Sequence, residues 1–433
     1  MVRDELMILC TGDIHLGRHS SRIPEELDGP EFSPTTVWRD IVREAIERDV
    51  DAVAVSGDVA DRENKYFEAY GAFEDGAARL DDADIPIVAV AGNHDFDVFP
   101  RIARDLDLES LHLLGEGGTW DHWTLERDGQ ALVRFDGWSF PDEHVYESPL
   151  ESYDLPDGDV PQVGVLHADL GTRESPYAPV ELADLRETSV TAWLLGHIHS
   201  PSVHNEFDPL VCYPGSPQAL DPGEPGTHGP QLLSIDSNGQ AAVEQLPLST
   251  VCYDRLEIDV SGIEDPEGAT PQISDRLREH VESMSGHGSL ELVLPRIRLT
   301  GRTEAHADLV ERSAAIREQL GTRTGSADIR IEAVEVDTRP AVDLEERAAG
   351  DDAVAAVAEL LLELENGELS DENERLLEES LDAMRRAHNA SAYTVLRRET
   401  DIDRPDRDDA METLETQARL VLDTLLEQKE AKA

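Results

Sequence analysis

The stretch IPIVAVAGNHD, residues 85 to 95, is a short apolar run that gives way at once to Gly92, Asn93, His94 and Asp95. Four other stretches share its form: LMILCTGD (6 to 13), AVAVSGD (52 to 58), QVGVLHADL (162 to 170) and TAWLLGHIH (191 to 199). Each reads as a strand with a Gly, Asp, Asn or His at or just past its C-terminal end, and helical patterns lie between the runs. From residue 6 to about 250 the alternation predicts a layered α/β domain. Sites in such sheets form at the carboxyl ends of the strands.

The chain has 433 residues, too many for one ordinary compact domain, so two or three are expected. After Val251 the pattern changes to strand (RLEIDV), helix (PQISDRLREHVESM), strand (LELVLPRIRL), helix (AHADLVERSAAIREQL) and strand (ADIRIEAVEV), which suggests a small separate α/β domain. Beyond Pro340 the sequence is acidic and rich in Leu and Ala, with helical runs at DDAVAAVAELLLELENG, around LLEESLDAMRRAH and after the breaker DRPDRDD. The division expected is therefore 1–250, 251–340 and 341–433.

Asp and Glu number 93 against 37 Lys and Arg, a formal net charge of -56 spread along the whole chain. Lys65, Lys429 and Lys432 are the only lysines, the other basic residues being arginine. This pattern resembles proteomes of salt-in halophiles, where about 1 M salt shortens the Debye length to about 3 Å and screens self-repulsion. On that reading the charge is an adaptation of the solvent-facing surface. It counts only weakly against nucleic acid, although phosphate binding uses Lys and Arg and weakens as salt rises. No apolar run approaches the roughly 18 to 20 residues of a membrane-crossing helix. Met1 to Cys10 has no basic n-region or cleavage site and reads as the first strand of a cytoplasmic protein. Cys10, Cys212 and Cys252 are scattered singly, which argues for buried free thiols and against a disulfide framework or a zinc knuckle.

Five motifs sit at strand ends: Asp13-Ile14-His15, Gly57-Asp58, Gly92-Asn93-His94-Asp95, Leu166-His167 and Gly196-His197-Ile198-His199. In so acidic a chain a lone Asp carries almost no information, and a lone His is more often a surface or satisfied core residue. The combination is different, because carboxylate, imidazole and amide oxygen together suit borderline divalent ions such as Mn²⁺, Fe²⁺ or Zn²⁺, whereas an all-oxygen set points to Mg²⁺ or Ca²⁺. Asp13 with His15, and His197 with His199, have the i, i+2 spacing that puts two side chains on one side of an extended segment.

With these residues the chain resembles the calcineurin-like metallophosphoesterase superfamily, whose signature DxH, GD, GNH(D/E), H and GHxH is complete and in order over roughly residues 6 to 220. The resemblance implies a four-layer αββα sandwich. It also implies two divalent ions, Mn²⁺ first, with Fe²⁺, Zn²⁺ or Mg²⁺ as alternatives. Asp13, His15 and His199 would hold one ion, Asn93, His167 and His197 the other, and Asp58 would bridge them. His94 would face the scissile phosphate as general acid, with Asp95 orienting its ring. Two such ions lower the pKa of a shared water and neutralise charge growing on the phosphate.

Within the superfamily the chain looks most like SbcD-type DNA-repair exonucleases and the YhaO-like group, through YAPVELADL (177 to 185) and VCYPGSPQAL (211 to 220). That likeness implies a DNA-cleaving hydrolase, exonuclease and conceivably also endonuclease, with a small α/β capping domain and a C-terminal helical segment. DNA and an SMC-type ATPase (SbcC/Rad-like) would be its partners in a double-strand-break processing complex, and a homodimer is admitted. The third helical run places Met411, Leu414, Ala418, Val421, Leu422 and Leu425 on one face, which must be buried on its own domain or in a partner's groove. A metallophosphatase, a cyclic-nucleotide phosphodiesterase and a non-catalytic metal-bound scaffold are the alternatives.

One position departs from the family pattern. Many members carry a second substrate-facing His three residues after the bridging Asp, and here Asp61 stands there. A carboxylate would repel a DNA phosphate unless it is paired or turned away. Arg62 is a candidate phosphate contact, equally well read as a solvated surface residue. TWDHW (119 to 123) reads as core and turn rather than as a DNA-contacting loop.

Overall fold

The computed structural model describes residues 5–430 apart from 28, 62–64, 157, 264–265, 285–288, 321, 325–326 and 390–403. Strands β1 (Leu6–Thr11), β2 (Ala52–Val55), β3 (Ile87–Ala89) and β4 (Leu111–Leu113) run parallel side by side. Next come β5 (Asp121–Arg127), β6 (Gln130–Trp138), β7 (Gln162–His167), β8 (Ala192–Gly196), β9 (Ser202–Asn205) and β10 (Leu210–Tyr213). These form a second sheet, ordered β5-β6-β7-β8-β10-β9. The chain then returns through β11 (Gln231–Ile235) and β12 (Ala241–Gln245) to complete the first sheet, ordered β12-β11-β1-β2-β3-β4. All five runs that open the sequence analysis are strands, and all five lie in parallel parts of the two sheets.

Apolar residues on both faces of these strands explain the layering. Ile8, Cys10, Ala54 and Val88 of the first sheet pack against Phe135, Val163, Val165 and Leu194 of the second. The outer face of the first sheet is covered by α1 (Pro34–Arg48), α2 (Lys65–Asp81) and α3 (Phe99–Leu106). Val37, Trp38, Ile41, Val42 and Ala45 form the buried stripe of α1, and Trp38 stacks on Phe73 of α2 at 5.4 Å. The outer face of the second sheet packs Leu166, Trp193, Leu195 and Val211 under loops and the short α4 (Leu182–Arg186). This is the αββα sandwich.

The following segment builds a third sheet from β13 (Val251–Asp259), β14 (Leu292–Thr303), β15 (Thr322–Thr324), β16 (Ala327–Ile329) and β17 (Ala333–Pro340), with helices α5 (Pro266–Met284) and α6 (His306–Gln319). The run ADIRIEAVEV, expected as one strand, is two, β16 pairing with both β14 and β15 and β17 pairing with β14. Val251, Tyr253, Leu292 and Leu294 bury themselves against Phe32 and Ala219, and Thr250 Oγ1 donates to the Glu31 carbonyl at 2.9 Å.

By contacts the chain divides into two compact units, Met1–Gly301 with Ala307–Thr338, and Arg302–His306 with Arg339–Ala433. The second unit contains helices α7 (Leu344–Ala348), α8 (Ala353–Asn366), α9 (Asp371–Asn389) and α10 (Arg407–Glu430). Its core joins Val354, Leu360, Leu361 and Leu364 of α8 to Ala418, Leu422 and Leu426 of α10. Most of the apolar face singled out in the sequence is therefore covered inside its own unit: Met411, Leu414 and Leu425 are partly buried in the same core, while Val421 remains 46% exposed. Among the described residues no helix is long and apolar enough to cross a membrane.

Candidate metal centre

The site lies where the carboxyl ends of the two parallel strand sets meet. Past β1 and β2 the ladder continues into the loops: Asp13 N–H donates to the Gly57 carbonyl and His15 N–H to the Asp58 carbonyl, both at 3.0 Å. That pairing brings Asp13, His15 and Asp58 together. All three residues, with His197, hold positive φ values of 49, 50, 51 and 98°, a conformation that costs non-glycine residues free energy and persists only where the surroundings impose it. Glycine is required by close approach at Gly92 and Gly196, where an added Cβ would lie 2.2 Å from Asp58 Oδ1 and 2.0 Å from the Ser56 carbonyl oxygen.

The donors form two adjoining groups, and His15, Asp61 and His94 make a third that shares His15 with the first. In one, ligand-type atoms of Asp13, His15 and His199 lie within 4.8 Å of one another, and in the other those of Asp13, Asp58 and His167 do. Asp58 Oδ2 stands between them, 3.3 Å from His167 Nε2 and 4.0 Å from His15 Nε2. Asn93 Oδ1 joins the second group at 2.9 Å from His167 Nε2. The His197 ring is 5.4 Å from that of His167, centroid to centroid, and its backbone N–H donates to Asp13. His197 belongs to none of the three-donor groups among the described residues.

Hydrogen bonding at the outer edges argues that these atoms await a cation. His167 Nδ1 lies 3.0 Å from the Ser56 carbonyl, which requires the ring proton on Nδ1. Its Nε2 lone pair then faces Asn93 Oδ1 and Asp58 Oδ2, acceptors only, so three lone pairs converge with no proton to share. His199 Nδ1 likewise faces Glu224 Oε1 at 2.6 Å, which turns Nε2 towards His15 Nε2 at 3.1 Å. Burial disfavours charge on His199, but the Glu224 hydrogen bond and the nearby Asp13 raise its pKa to about 9. The field that would hold a proton in this gap serves a metal ion equally. His197, by contrast, is lowered to about 3 by burial and by His167, so its ring is a neutral ligand type. The residues present fit a pair of divalent ions.

Three features differ from the sequence-based reading or were missed by it. Asp95, expected to orient His94, is fully buried, and its oxygens accept backbone N–H groups instead: Val59 at 2.7 Å, Ala60 at 3.2 Å and Gly92 at 2.8 Å. It ties the Asp58 loop to the Asn93 loop, while burial and the charge of Asp58 raise its carboxyl to about 8. Asp61, which departs from the family pattern, is paired: its Oδ1 lies 3.5 Å from His15 Nδ1 and 3.8 Å from His94 Nδ1. Both are ion-pair rather than hydrogen-bond distances, and proximity to His15 lowers the Asp61 pKa. Glu224 had no motif to announce it, lying 25 residues beyond His199. The Leu220 N–H and Ser216 Oγ hold its second oxygen.

The His94 side chain is 38% exposed, with its ring edge-on to His15 and its backbone N–H donating to Asp58 Oδ1 at 2.9 Å. Arg62 lies outside the described residues. Trp120 of TWDHW packs against Tyr153 and Trp193, while Asp121, His122 and Trp123 open strand β5, with Trp123 stacked on His112, so part of the segment expected as core and turn is strand.

Comparison with known proteins agrees with this geometry. Residues 6–201 match the calcineurin-like phosphoesterase family, and residues 253–339 match the middle domain of metallophosphoesterase YhaO. The uncharacterized metallophosphoesterase YhaO of Bacillus subtilis (strain 168) is 25% identical over 263 residues, 59% of this chain and 64% of that protein. The DNA double-strand break repair protein Mre11 of Halobacterium salinarum is 29% identical over 287 residues, 63% of this chain and 67% of that protein. Mre11 of Haloferax volcanii is 28% identical, covering 63% of this chain and 58% of that protein. The chain thus spans about two thirds or less of the length of these relatives.

Proposed function

From a chain that carries a calcineurin-like metallophosphoesterase domain followed by a YhaO-type middle domain, we propose a DNA-repair nuclease that hydrolyses phosphodiester bonds at a centre of two Mn²⁺-type ions. The observation that carries the hydrolytic reading is the convergence of lone-pair donors at joined strand ends, with the partly exposed His94 beside them. DNA as substrate rests on the likeness to archaeal Mre11 proteins.

Asp13, His15 and His199 would hold one ion, Asn93, His167 and His197 the other, and Asp58 both. Bound there, the ions would supply Lewis-acid polarisation of the phosphate and of the attacking water. The protein's own groups do the rest. Ser56 and Glu224 fix the ring tautomers of His167 and His199, so that Nε2 of each faces inward. His94 donates a proton to the departing oxygen. To act as the acid His94 carries a proton on each ring nitrogen: the one on Nδ1 faces Asp61, and the one on Nε2 passes to the departing oxygen and leaves a neutral ring. Asp61 is thereby a positioning residue, and its charge is shared with His15 rather than presented to the substrate phosphate.

We take residues 1–250 as the nuclease domain, 251–340 as the capping domain and 341–433 as the element that docks an SMC-type ATPase. Because α8 covers most of the apolar face of α10, docking would use residues left outside that core, such as Leu376, Leu420 and Val421. Deleting 341–433 should leave metal binding intact and abolish co-purification with the ATPase. The function itself is tested with purified protein in molar KCl and Mn²⁺, offered end-labelled single- and double-stranded DNA, a phosphopeptide and a cyclic nucleotide. Cleavage of the DNA is the expected result. Turnover of only the phosphopeptide or the cyclic nucleotide would replace this reading.

A further inference from the structure

A line of rings leads from the metal centre to the protein surface. Tyr177 sits 4.7 Å from the His197 ring, His144 lies 5.7 Å from Tyr177, and Tyr146 lies 6.4 Å from His144, with interplanar angles of 39, 29 and 19°. Two features anchor the line. Tyr177 and Val145 pack into the core beneath the second sheet, and their backbones form a bridge in which Val145 N–H donates to the Pro176 carbonyl and Ala178 N–H to the Val145 carbonyl, each at 2.8 Å. His144 and Tyr146 flank this anchor on the exposed side, Tyr146 being 65% exposed. At these separations the rings are not in face-to-face contact, for which ~3.5 Å is needed, and His144 and Tyr146 are exposed to solvent.

We propose that Tyr177, His144 and Tyr146 form a platform on which unpaired nucleobases of a single-stranded DNA substrate stack as the strand enters the metal centre. The inference rests on the nuclease reading given above. Local charge selects this occupant. Residues 141–148, PDEHVYES, hold Asp142, Glu143 and Glu147 and neither Lys nor Arg, so the segment lacks the cationic side chains that hold phosphate by charge. The contact such a segment offers a nucleic acid is with its bases, whose π-faces stack on aromatic rings without regard to sequence. Such contacts do not depend on counterion release, so they keep their strength at salt concentrations that erase phosphate contacts. In a protein with net charge -56, a salt-independent grip on DNA is the kind that works.

The test compares the full chain, loaded with Mn²⁺ in molar KCl, with its His144→Ala/Tyr146→Ala and Tyr146→Phe variants. Binding of a fluorescent single-stranded oligonucleotide and of an abasic oligonucleotide of equal length is measured by anisotropy. Metal content and thermal midpoint are recorded for each protein. Stacking of one base is worth about 5- to 150-fold in affinity. The wild type and Tyr146→Phe should therefore prefer the base-bearing strand by at least about fivefold, and the double variant should lose that preference with both ions retained. Equal affinity of the wild type for the two strands overturns the platform, as does an undiminished preference in the double variant. Cleavage of the labelled strand is read separately. Cleavage without base preference sinks the platform alone, whereas a wild type that cuts no DNA sinks the nuclease reading and the platform together.

Discussion

Replacing Gly196 with alanine adds one methyl group, and the structure assigns that methyl no room. Gly196 ends β8 just before His197, and its backbone is not left-handed, so alanine is conformationally permitted there. The obstacle is contact: the new Cβ would lie 2.0 Å from the Ser56 carbonyl oxygen and 2.7 Å from His167 Nδ1. Ordinary contact needs about 3.5 Å, so backbone on one side must retreat by more than about an ångström. Overpacking of this kind costs about 1–3 kcal/mol. The retreat also breaks the 3.0 Å bond from His167 Nδ1 to the Ser56 carbonyl, for about 1 kcal/mol more. A total of about 2–4 kcal/mol follows, with displacement of His167 from Asn93 and Asp58. Thermal unfolding with metal analysis on the same samples measures both effects. Gly71→Ala in α2 is the control: nothing lies within 4 Å of its added Cβ, so it should gain about 0.5–1 kcal/mol from helix propensity. If Gly196→Ala unfolds at the wild-type temperature and binds two ions, the close approach of the two loops does not hold the centre together, and the reasoning is wrong.

His94→Ala should keep both ions while its rate falls by about 10²-fold or more, the usual size of a general-acid contribution, and loss of metal with activity would show His94 to be a ligand. Glu224→Gln removes the charge that orients His199 and should weaken metal affinity about 10- to 100-fold by isothermal titration, against an unchanged value if Glu224 merely fills space. Asp61→Asn should shift the pH-rate profile by changing the charge beside His94 and, because Asp61 also faces His15, should weaken metal affinity; an identical profile would count against its positioning role. Burial raises the thiols of Cys212 and Cys252 to about 12 and that of Cys10 well above its ordinary value, so none should react with a disulfide reagent at pH 8 until denaturant is added, when three should.

What the sequence determined by itself was local and periodic. Apolar runs ending in Gly, Asp, Asn or His are strands whose ends carry chemistry, because a short buried run has few other ways to satisfy its backbone, and the order of the motifs names the chemistry. The candidate ligands were legible for the same reason: His167 is the last residue of its strand, and each of the others lies within four residues beyond one. Contacts between segments distant in sequence were not legible. Asp95 is next to His94 in the chain, yet in space its carboxylate serves Val59, Ala60 and Gly92, because adjacent residues of a tight turn point different ways. Asp61 reads as a charge facing the substrate until folding places two imidazoles beside it. Glu224 is one of 93 acidic residues, distinguished only by where the loop after β10 returns to the site. The apolar stripe of α10 was plain at helical spacing, but its cover could not be, since i, i+3, i+4 periodicity shows that a face must be buried and only the packed structure shows that α8 buries it.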